Sequence, residues 1–299
     1  MSAAVQVGII GAGNMGGAML ARLRERGWRV AMHDIDARRC HEARASGAEV
    51  CAHAEAVAQR LTGEGVLLVA VVDADQTEAV LFGAHGAAPK LCAGQTVMLC
   101  PTIAPEVVER CAARLAERGV ATLDAPMSGG PVRAREGSMS LMLAGPQATL
   151  AQHAALLADL SSRRFIVSER AGDGARTKLV NNLLAGINLV GAAEALALAE
   201  RLGLNLGTTL DVIEQSSGQS WIGSDRMRRA IAGDLAPRAH VTLLEKDTGL
   251  AVAAGRLVGF EGPLGQRAAA VFQAAHQAGM AELDDAALFQ WLRSSKPAA

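Results

Sequence analysis

Lys178 and Asn182 stand four residues apart at the head of a long apolar run that continues to Arg201. Four residues is about one helical turn, so an ammonium and a carboxamide share one face. From Ala175 to Arg201 such a helix would extend roughly 40 Å at 1.5 Å per residue. It is hydrophobic nearly all round, which predicts a buried helix between layers of structure. A buried ammonium is costly to keep charged, and a lysine that gives up its proton readily can act as general base and general acid. The alternative is a helix-entry lysine whose methylenes carry its charge out to water.

A second set of residues points to a dinucleotide. Gly11-Ala12-Gly13-Asn14-Met15-Gly16 directly follows the β run Val5–Ile10 and opens a helical stretch. In that context the glycines allow a tight turn, close approach of a pyrophosphate and tight helix–strand packing, with the phosphates on the helix N-terminus. The next β run ends at Asp34, 23 residues after Gly11. A carboxylate there accepts from ribose hydroxyls and repels a 2′-phosphate, which favours NAD. Arg38 and Arg39 follow closely and keep NADP open. Ligands in such sheets gather at the carboxyl ends of strands. Two further strand ends, Val71-Val72-Asp73 and Cys100-Pro101-Thr102, should therefore line the same crevice, with Asp73 alternatively capping the next helix.

Asp124-Ala-Pro-Met-Ser128-Gly129-Gly130-Pro131 reads as a strand running into a glycine turn. Peptide N–H groups plus the Ser128 hydroxyl would make a neutral anion cradle suited to a substrate carboxylate. Lys246-Asp247 places a charged pair in an apolar helical region, a structural pair or one from which Lys246 reaches cofactor or substrate. No metal is expected: the seven histidines form no H-x-x-E-H-like set, and His33, His41, His53 and His85 fall on unrelated segments.

The elements that must position these residues change character along the 299-residue chain. Short β runs at Val5–Ile10, Arg29–His33, Val66–Val72, Thr96–Cys100, Ala121–Ala125, Ser138–Ala144 and Arg164–Val167 alternate early with amphipathic helices at Met15–Arg26, Ala37–Ser46 and Pro105–Arg118. That alternation predicts an α/β fold with a doubly wound parallel sheet. After about Gly174 the β signal stops, and helical segments follow at Leu206–Gln215, Trp221–Ala232, Val241–Val258 and Gly262–Ala278. The reading is a dinucleotide domain over 1–170 and an all-α domain over 171–299, joined by the long Lys178 helix. A net charge of -1, no basic cluster and 3% aromatics argue against nucleic acid and against an anionic membrane surface. Five cysteines without a C-x-x-C pair suggest reduced thiols in a cytoplasmic protein. The first strand begins too early for a signal sequence. No clean membrane-spanning run is expected, because Asn188, Gly191 and Glu194 break the stretch after Asn182. The tail 294–299 reads as frayed.

Taken together, Gly11-x-Gly13-x-Met15-Gly16, Asp124-Ala-Pro-x-Ser128-Gly-Gly130, Gly174-x-x-x-Lys178-x-x-Asn181-Asn182 and Lys246-Asp247-x-Gly-Leu resemble the β-hydroxyacid dehydrogenase family over nearly the whole chain. Val80-Leu-Phe-Gly83, Thr102-Ile-Ala104, Leu183-Leu-Ala-Gly186, Ala195-Leu-Ala-Leu-Ala199 and Ser220-Trp221 are similar to its L-threonate dehydrogenase subgroup. Val71-Val72-Asp73 departs from the family's commoner Leu-Pro-Asn, and Thr248 from a usual Leu or Met. The resemblance implies a Rossmann-type domain, a catalytic Lys178, and a substrate held by Asn182 and by Ser128, Gly129 and Gly130. It places Thr102 and Lys246 at the nicotinamide end, and it implies a homodimer or homotetramer. The expected activity is NAD-dependent oxidation of a C3–C5 hydroxy acid such as L-threonate. The alternatives are a 3-hydroxyisobutyrate dehydrogenase or a semialdehyde-type reductase using NADPH, and a non-catalytic NAD(H)-binding sensor. Ala239, eight residues before Asp247, stands where some relatives that favour very small aldehydes carry Phe, so its small side chain leaves room for a C4 chain.

Overall fold

The computed structural model describes residues 5–294, and the tail expected to fray lies outside them apart from Ser294 itself. The chain divides into two compact units, Met1–Lys178 and Leu179–Ala299.

The first unit is built on one sheet. In chain order it contains β1 (Val5–Ile10), α1 (Asn14–Glu25), β2 (Val30–His33), α2 (Ala37–Ala45), β3 (Glu49–Val50), α3 (Ala54–Arg60), β4 (Leu61–Val69), α4 (Ala74–Phe82), β5 (Thr96–Leu99), α5 (Pro105–Ala116) and β6 (Ala121–Asp124). There follow β7 (Met127–Ser128), α6 (Gly130–Glu136), β8 (Ser140–Ala144), α7 (Gln147–Gln152), α8 (Ala154–Leu160), β9 (Arg163–Ser168) and the start of α9 (Asp173–Arg201). Six strands run parallel in the order β3-β2-β1-β4-β5-β6. Period-two alternation sends Val7, Ile9, Leu68 and Met98 into a core with α1 and α8, and Ile10, Leu67, Val69 and Val97 into one with α3, α4 and α5. A sheet buried on both faces is the doubly wound architecture the sequence implies. It is not parallel throughout. β8 pairs antiparallel with both β6 and β7, and β9 runs parallel to β8. The chain passes from β6 to β8 through β7 and α6, and β8 returns beside both strands in the opposite direction.

The second unit carries the rest of α9 with α10 (Leu206–Glu214), α11 (Trp221–Ile231), α12 (Val241–Leu257), α13 (Pro263–Ala275) and α14 (Leu288–Ser294). Among its described residues the only strand-like pairing is an isolated bridge between His240 and Asp284. Leu189, Leu196, Met227, Val241, Phe272 and Phe289 form its core.

α9 corrects two expectations. It is not buried all round: Val180, Leu184 and Leu198 are 71%, 58% and 57% exposed, and Leu202 just past its end is 65% exposed. The helix is apolar on two faces, and only the face carrying Leu189, Ala193 and Leu196 enters the core. It is also long and apolar enough to cross a membrane by length and composition, with a mean hydropathy of 1.5 over an 18-residue window, so its polar interruptions do not break the run. A core helix of a soluble protein meets the same measure.

Candidate active site

The carboxyl ends of the central strands align in one row. Ile10 pairs with His33 on one side and Val69 on the other, Val69 with Leu99, and Leu99 with Asp124. The loops leaving that edge carry Gly11–Gly16, Asp34, Val71–Val72, Thr102 and Ser128–Gly130, so the structure gathers the first unit's expected ligand groups at one sheet edge. The strand order reverses beside β1, between β2 and β4, which is the switch point where such sheets bind ligands.

The glycine loop fits a dinucleotide by its own geometry. Gly11 has φ of 90°, and a Cβ there would stand 2.7 Å from the Ala70 carbonyl oxygen. A Cβ on Gly16 would fall 1.9 Å from the Gly11 oxygen, so the helix can start this close only with glycine. At Gly13, by contrast, nothing lies within 4 Å of where a Cβ would point, which leaves the approach a pyrophosphate needs. Asp34 ties the loop to β2: its Oδ2 accepts from the Ala12 N–H at 2.5 Å and its Oδ1 from the Asp36 N–H at 2.8 Å. A carboxylate has about four acceptor positions, so two remain for ribose hydroxyls.

The neighbouring arginines have local partners. Arg38 pairs with Asp36 at 3.0 Å, and Arg39 with Glu42 at 3.3 Å and the Asn14 Oδ1 at 3.4 Å. Val71 packs beside Gly11, and the Val72 N–H donates to Gln76 Oε1 at 3.0 Å. Asp73 takes the capping role, its Oδ1 accepting from the Gln76 N–H at 2.8 Å. Thr102 sits half-buried in the loop after β5.

Ser128 ends β7, and Gly129 caps α6. Both glycines hold positive φ, 125° and 75°. The first N–H groups of a helix lack intrahelical acceptors, so this turn presents donors beside the Ser128 hydroxyl.

Lys178 lies in the second turn of α9 and is buried, with 7% of its surface exposed. Asp124, at the end of β6, fixes the start of that helix. Its Oδ2 accepts from the N–H groups of Gly172 and Ala175, each at 2.9 Å. Burial pushes the Asp124 carboxyl up to about 6, against the pull of the Ala175, Gly172 and Gly174 N–H groups. A Cβ on Gly174 would meet the Met142 oxygen at 2.7 Å and the Asp124 carboxyl carbon at 2.9 Å, so this glycine admits the cap. The sequence reading had no role for Asp124; an acid ending a buried strand was the available signal.

In the second unit, Asn182 is oriented on both sides. Its Nδ2 donates to Asp247 Oδ2 at 2.6 Å, and its Oδ1 accepts from Asn181 Nδ2 at 2.9 Å. The other Asp247 oxygen accepts from Lys246 Nζ at 2.6 Å. Asp247 is 6% exposed and holds the two expected site residues of this unit together. The sequence reading treated it only as half of a charged pair. An amide nitrogen has two hydrogens; one goes to Asp247, and the second is the donor a substrate oxygen can use. Ala239 is fixed as well: its N–H donates to Asp284 Oδ2 at 3.3 Å and its carbonyl accepts from the Asp285 N–H at 2.8 Å.

Comparison with known proteins agrees over both units. Residues 6–168 match the NAD binding domain of 6-phosphogluconate dehydrogenase, and residues 172–292 match the NAD-binding domain of NADP-dependent 3-hydroxyisobutyrate dehydrogenase. An L-threonate dehydrogenase of Cupriavidus necator is 35% identical, with 95% of each chain covered. A crystal structure named 3-hydroxyisobutyrate dehydrogenase, from Salmonella typhimurium, superposes with a TM-score of 0.88 at 34% identity, covering 96% of this chain and 99% of that one. A second structure, Psf3 in complex with NADP+ and 2-OPP, gives a TM-score of 0.88 at 27% identity, with 96% and 99% covered.

Proposed function

The chain belongs to the β-hydroxyacid dehydrogenase family, and we propose that it oxidises a C3–C5 hydroxy acid of the L-threonate type with NAD, using Lys178 as general base. It is an NAD(P)-dependent hydroxy acid dehydrogenase. Bound nicotinamide supplies the hydride acceptor or donor. Gly11, Ala12, Gly13, Asn14, Met15 and Gly16 would hold the pyrophosphate and Asp34 the ribose, with Val71, Val72, Thr102 and Lys246 toward the rest of the cofactor. The Ser128–Gly130 turn receives the substrate carboxylate, and the second Asn182 N–H the oxygen of the reacting hydroxyl. Lys178 takes the hydroxyl proton in oxidation and returns it in reduction, a contribution of ~10²–10⁴-fold. Orientation of the substrate supplies much of the remainder.

The observation that carries this reading is a buried lysine one helical turn before an amide oriented by Asp247. Asp34 beside the glycine loop supports NAD, and the Asp36 partner of Arg38 supports it further. Arg39 beside Asn14 favours the second reading, an NADPH-dependent reductase of 3-hydroxyisobutyrate or semialdehyde type. The methyl side chain of Ala239 supports a C4 substrate. The exposed Val180, Leu184, Leu198 and Leu202 stripe suits burial against a second copy, which supports a homodimer or homotetramer. Five free cysteines, three of them buried, agree with a cytoplasmic enzyme. The test is turnover of a panel of C3–C5 hydroxy acids and their aldehydes with NAD(H) and NADP(H). L-Threonate with NAD should lead it; glyoxylate or a semialdehyde leading with NADPH would replace this reading with the second.

A further inference from the structure

The first unit brings together two imidazoles and a carboxylate, His53 and Glu55 from one helix start and His85 from a loop distant in sequence. His53 caps α3, Glu55 lies in its first turn, and His85 sits in the loop after α4. The histidines read as unrelated in sequence are therefore partly clustered in space. The backbone makes the cluster: the Glu55 N–H donates to the His85 carbonyl at 2.9 Å, and the loop is closed by Gly86 N–H to Gly83 and Ala87 N–H to Val80, each 2.9 Å. The two rings stack with centroids 4.9 Å apart and 26° between planes. His85 Nδ1 lies 3.8 Å from Glu55 Oε2, and one donor atom from each of the three residues lies within 4.8 Å of the other two. We propose that His53, Glu55 and His85 form a surface site for a divalent transition-metal ion such as Zn²⁺, completed by water.

The distances are those of a site that needs only side-chain rotation. Bonds of about 2.0–2.2 Å in a tetrahedron put neighbouring donors roughly 3.4 Å apart. The pair His85–Glu55 must close by a few tenths of an ångström, and no pair by more than about 1.4 Å. Two nitrogens and one oxygen select Zn²⁺, Co²⁺ or Ni²⁺ over Mg²⁺ and Ca²⁺, which take oxygen donors. The Glu55 carboxylate has a different neighbour at each oxygen. Lys90 lies 3.2 Å from Oε1, and Oε2 is the oxygen near His85. His53 must change partners. Its Nδ1 accepts from the Ala56 N–H at 3.2 Å, so the neutral ring carries its proton on Nε2. An ion at Nδ1 takes that lone pair, and an ion at Nε2 moves the proton to Nδ1. Either way the Ala56 hydrogen bond is released. The bound ion would clamp the start of α3 to the loop after α4.

The test is Zn²⁺ titrated into the EDTA-stripped, reduced full chain by calorimetry, with the Ala56 amide followed by NMR. One ion per chain should bind, the Ala56 resonance should shift, and His85→Ala and Glu55→Gln should each weaken binding about 10-fold or more. His85→Ala retains the backbone carbonyl that Glu55 uses, so the fold and turnover should be unchanged. Absence of saturable binding, or binding that survives either substitution, as it would at an exposed thiol such as Cys92, would overturn the site.

Discussion

Asp247→Asn tests how the Asn182 amide, proposed to hold the substrate, is oriented. Asp247 accepts two donors on its two oxygens, the Asn182 amide and the Lys246 ammonium, both at 2.6 Å. An asparagine has the same shape but one acceptor. The ammonium will keep that oxygen, since a charged donor bonds more strongly than a neutral one. The new amide nitrogen then faces Asn182 Nδ2, donor against donor, and Asn182 must flip. Its oxygen now points to residue 247, and its contact with Asn181 is inverted as well. The donor meant for the substrate becomes misdirected. A hydrogen bond to a charged group is worth about 1.5–3 kcal/mol, which at about 1.4 kcal/mol per decade is a loss of roughly 10- to 150-fold in kcat/KM. NAD(H) affinity, measured by quenching of bound NADH fluorescence, should change little, and so should the melting temperature. A variant within about twofold of wild-type kcat/KM would show that Asn182 needs no fixed orientation, and the reasoning would fail.

Other substitutions separate the remaining roles. Lys178→Ala should lower kcat by at least ~10²-fold with NAD binding intact, and Lys178→Arg should be about as inactive because arginine does not release its proton near neutral pH. A Lys178→Arg enzyme with near-normal turnover would leave the lysine as an electrostatic anchor only. Asp34→Asn with Ile35→Arg should shift the kcat/KM ratio toward NADP by about 10-fold or more, since it removes a carboxylate and adds a guanidinium at a position 95% exposed; an unchanged ratio would move the determinant to Arg38 or Arg39. Asp124 has a folded-state carboxyl at about 6, above its unfolded value of 3.8, so its stabilising contribution is full below about pH 4 and is lost as pH rises through 6. Wild type should therefore gain on Asp124→Asn by up to roughly 3 kcal/mol between pH 7 and pH 4 in urea titrations, and a pH-independent gap would refute the assignment.

The helices and strands were legible wherever one periodicity dominated. β1, α1, α5 and α10–α13 sit within a few residues of their expected bounds, because Gly, Asn or Pro marks their ends and one apolar stripe fills the core. The two-residue strands β3 and β7 were not legible, being too short for alternation to register. The reversal at β8 was not legible for a different reason: alternation marks a strand and the face it buries, not its direction. α9 misled because an apolar surface facing solvent and one facing a core have the same composition. Among the candidate site residues, the glycine loop, Asp34, Ser128–Gly130, Lys178 and Asn182 are singled out by local spacing. Asp124 and Asp247 were not, since their partners lie 48–51 and 65 residues away. His53 and His85 met for the same reason, through a backbone bond that no motif encodes.

Three of the groups with a proposed chemical task are set by carboxylates that join distant segments. Asp34 links β2 to the glycine loop across 22 residues, Asp124 links β6 to the head of α9, and Asp247 links α12 to Asn182. Each takes two donors, so removing one carboxylate strands both, and a buried unmet donor costs about 1–3 kcal/mol. The consequence differs with what the donors are. At Asp124 they are backbone N–H groups of a helix start, so the loss is one of folding. At Asp247 they are side chains with proposed roles toward substrate and cofactor, so the expected loss is one of turnover. Asp34 is intermediate: its donors are backbone, yet its remaining lone pairs are the proposed acceptors for the ribose, so both cofactor choice and loop order should depend on it. Substitutions at these three acids should thus separate in stability, kcat/KM and cofactor ratio, which identical structural salt-bridge roles would not produce.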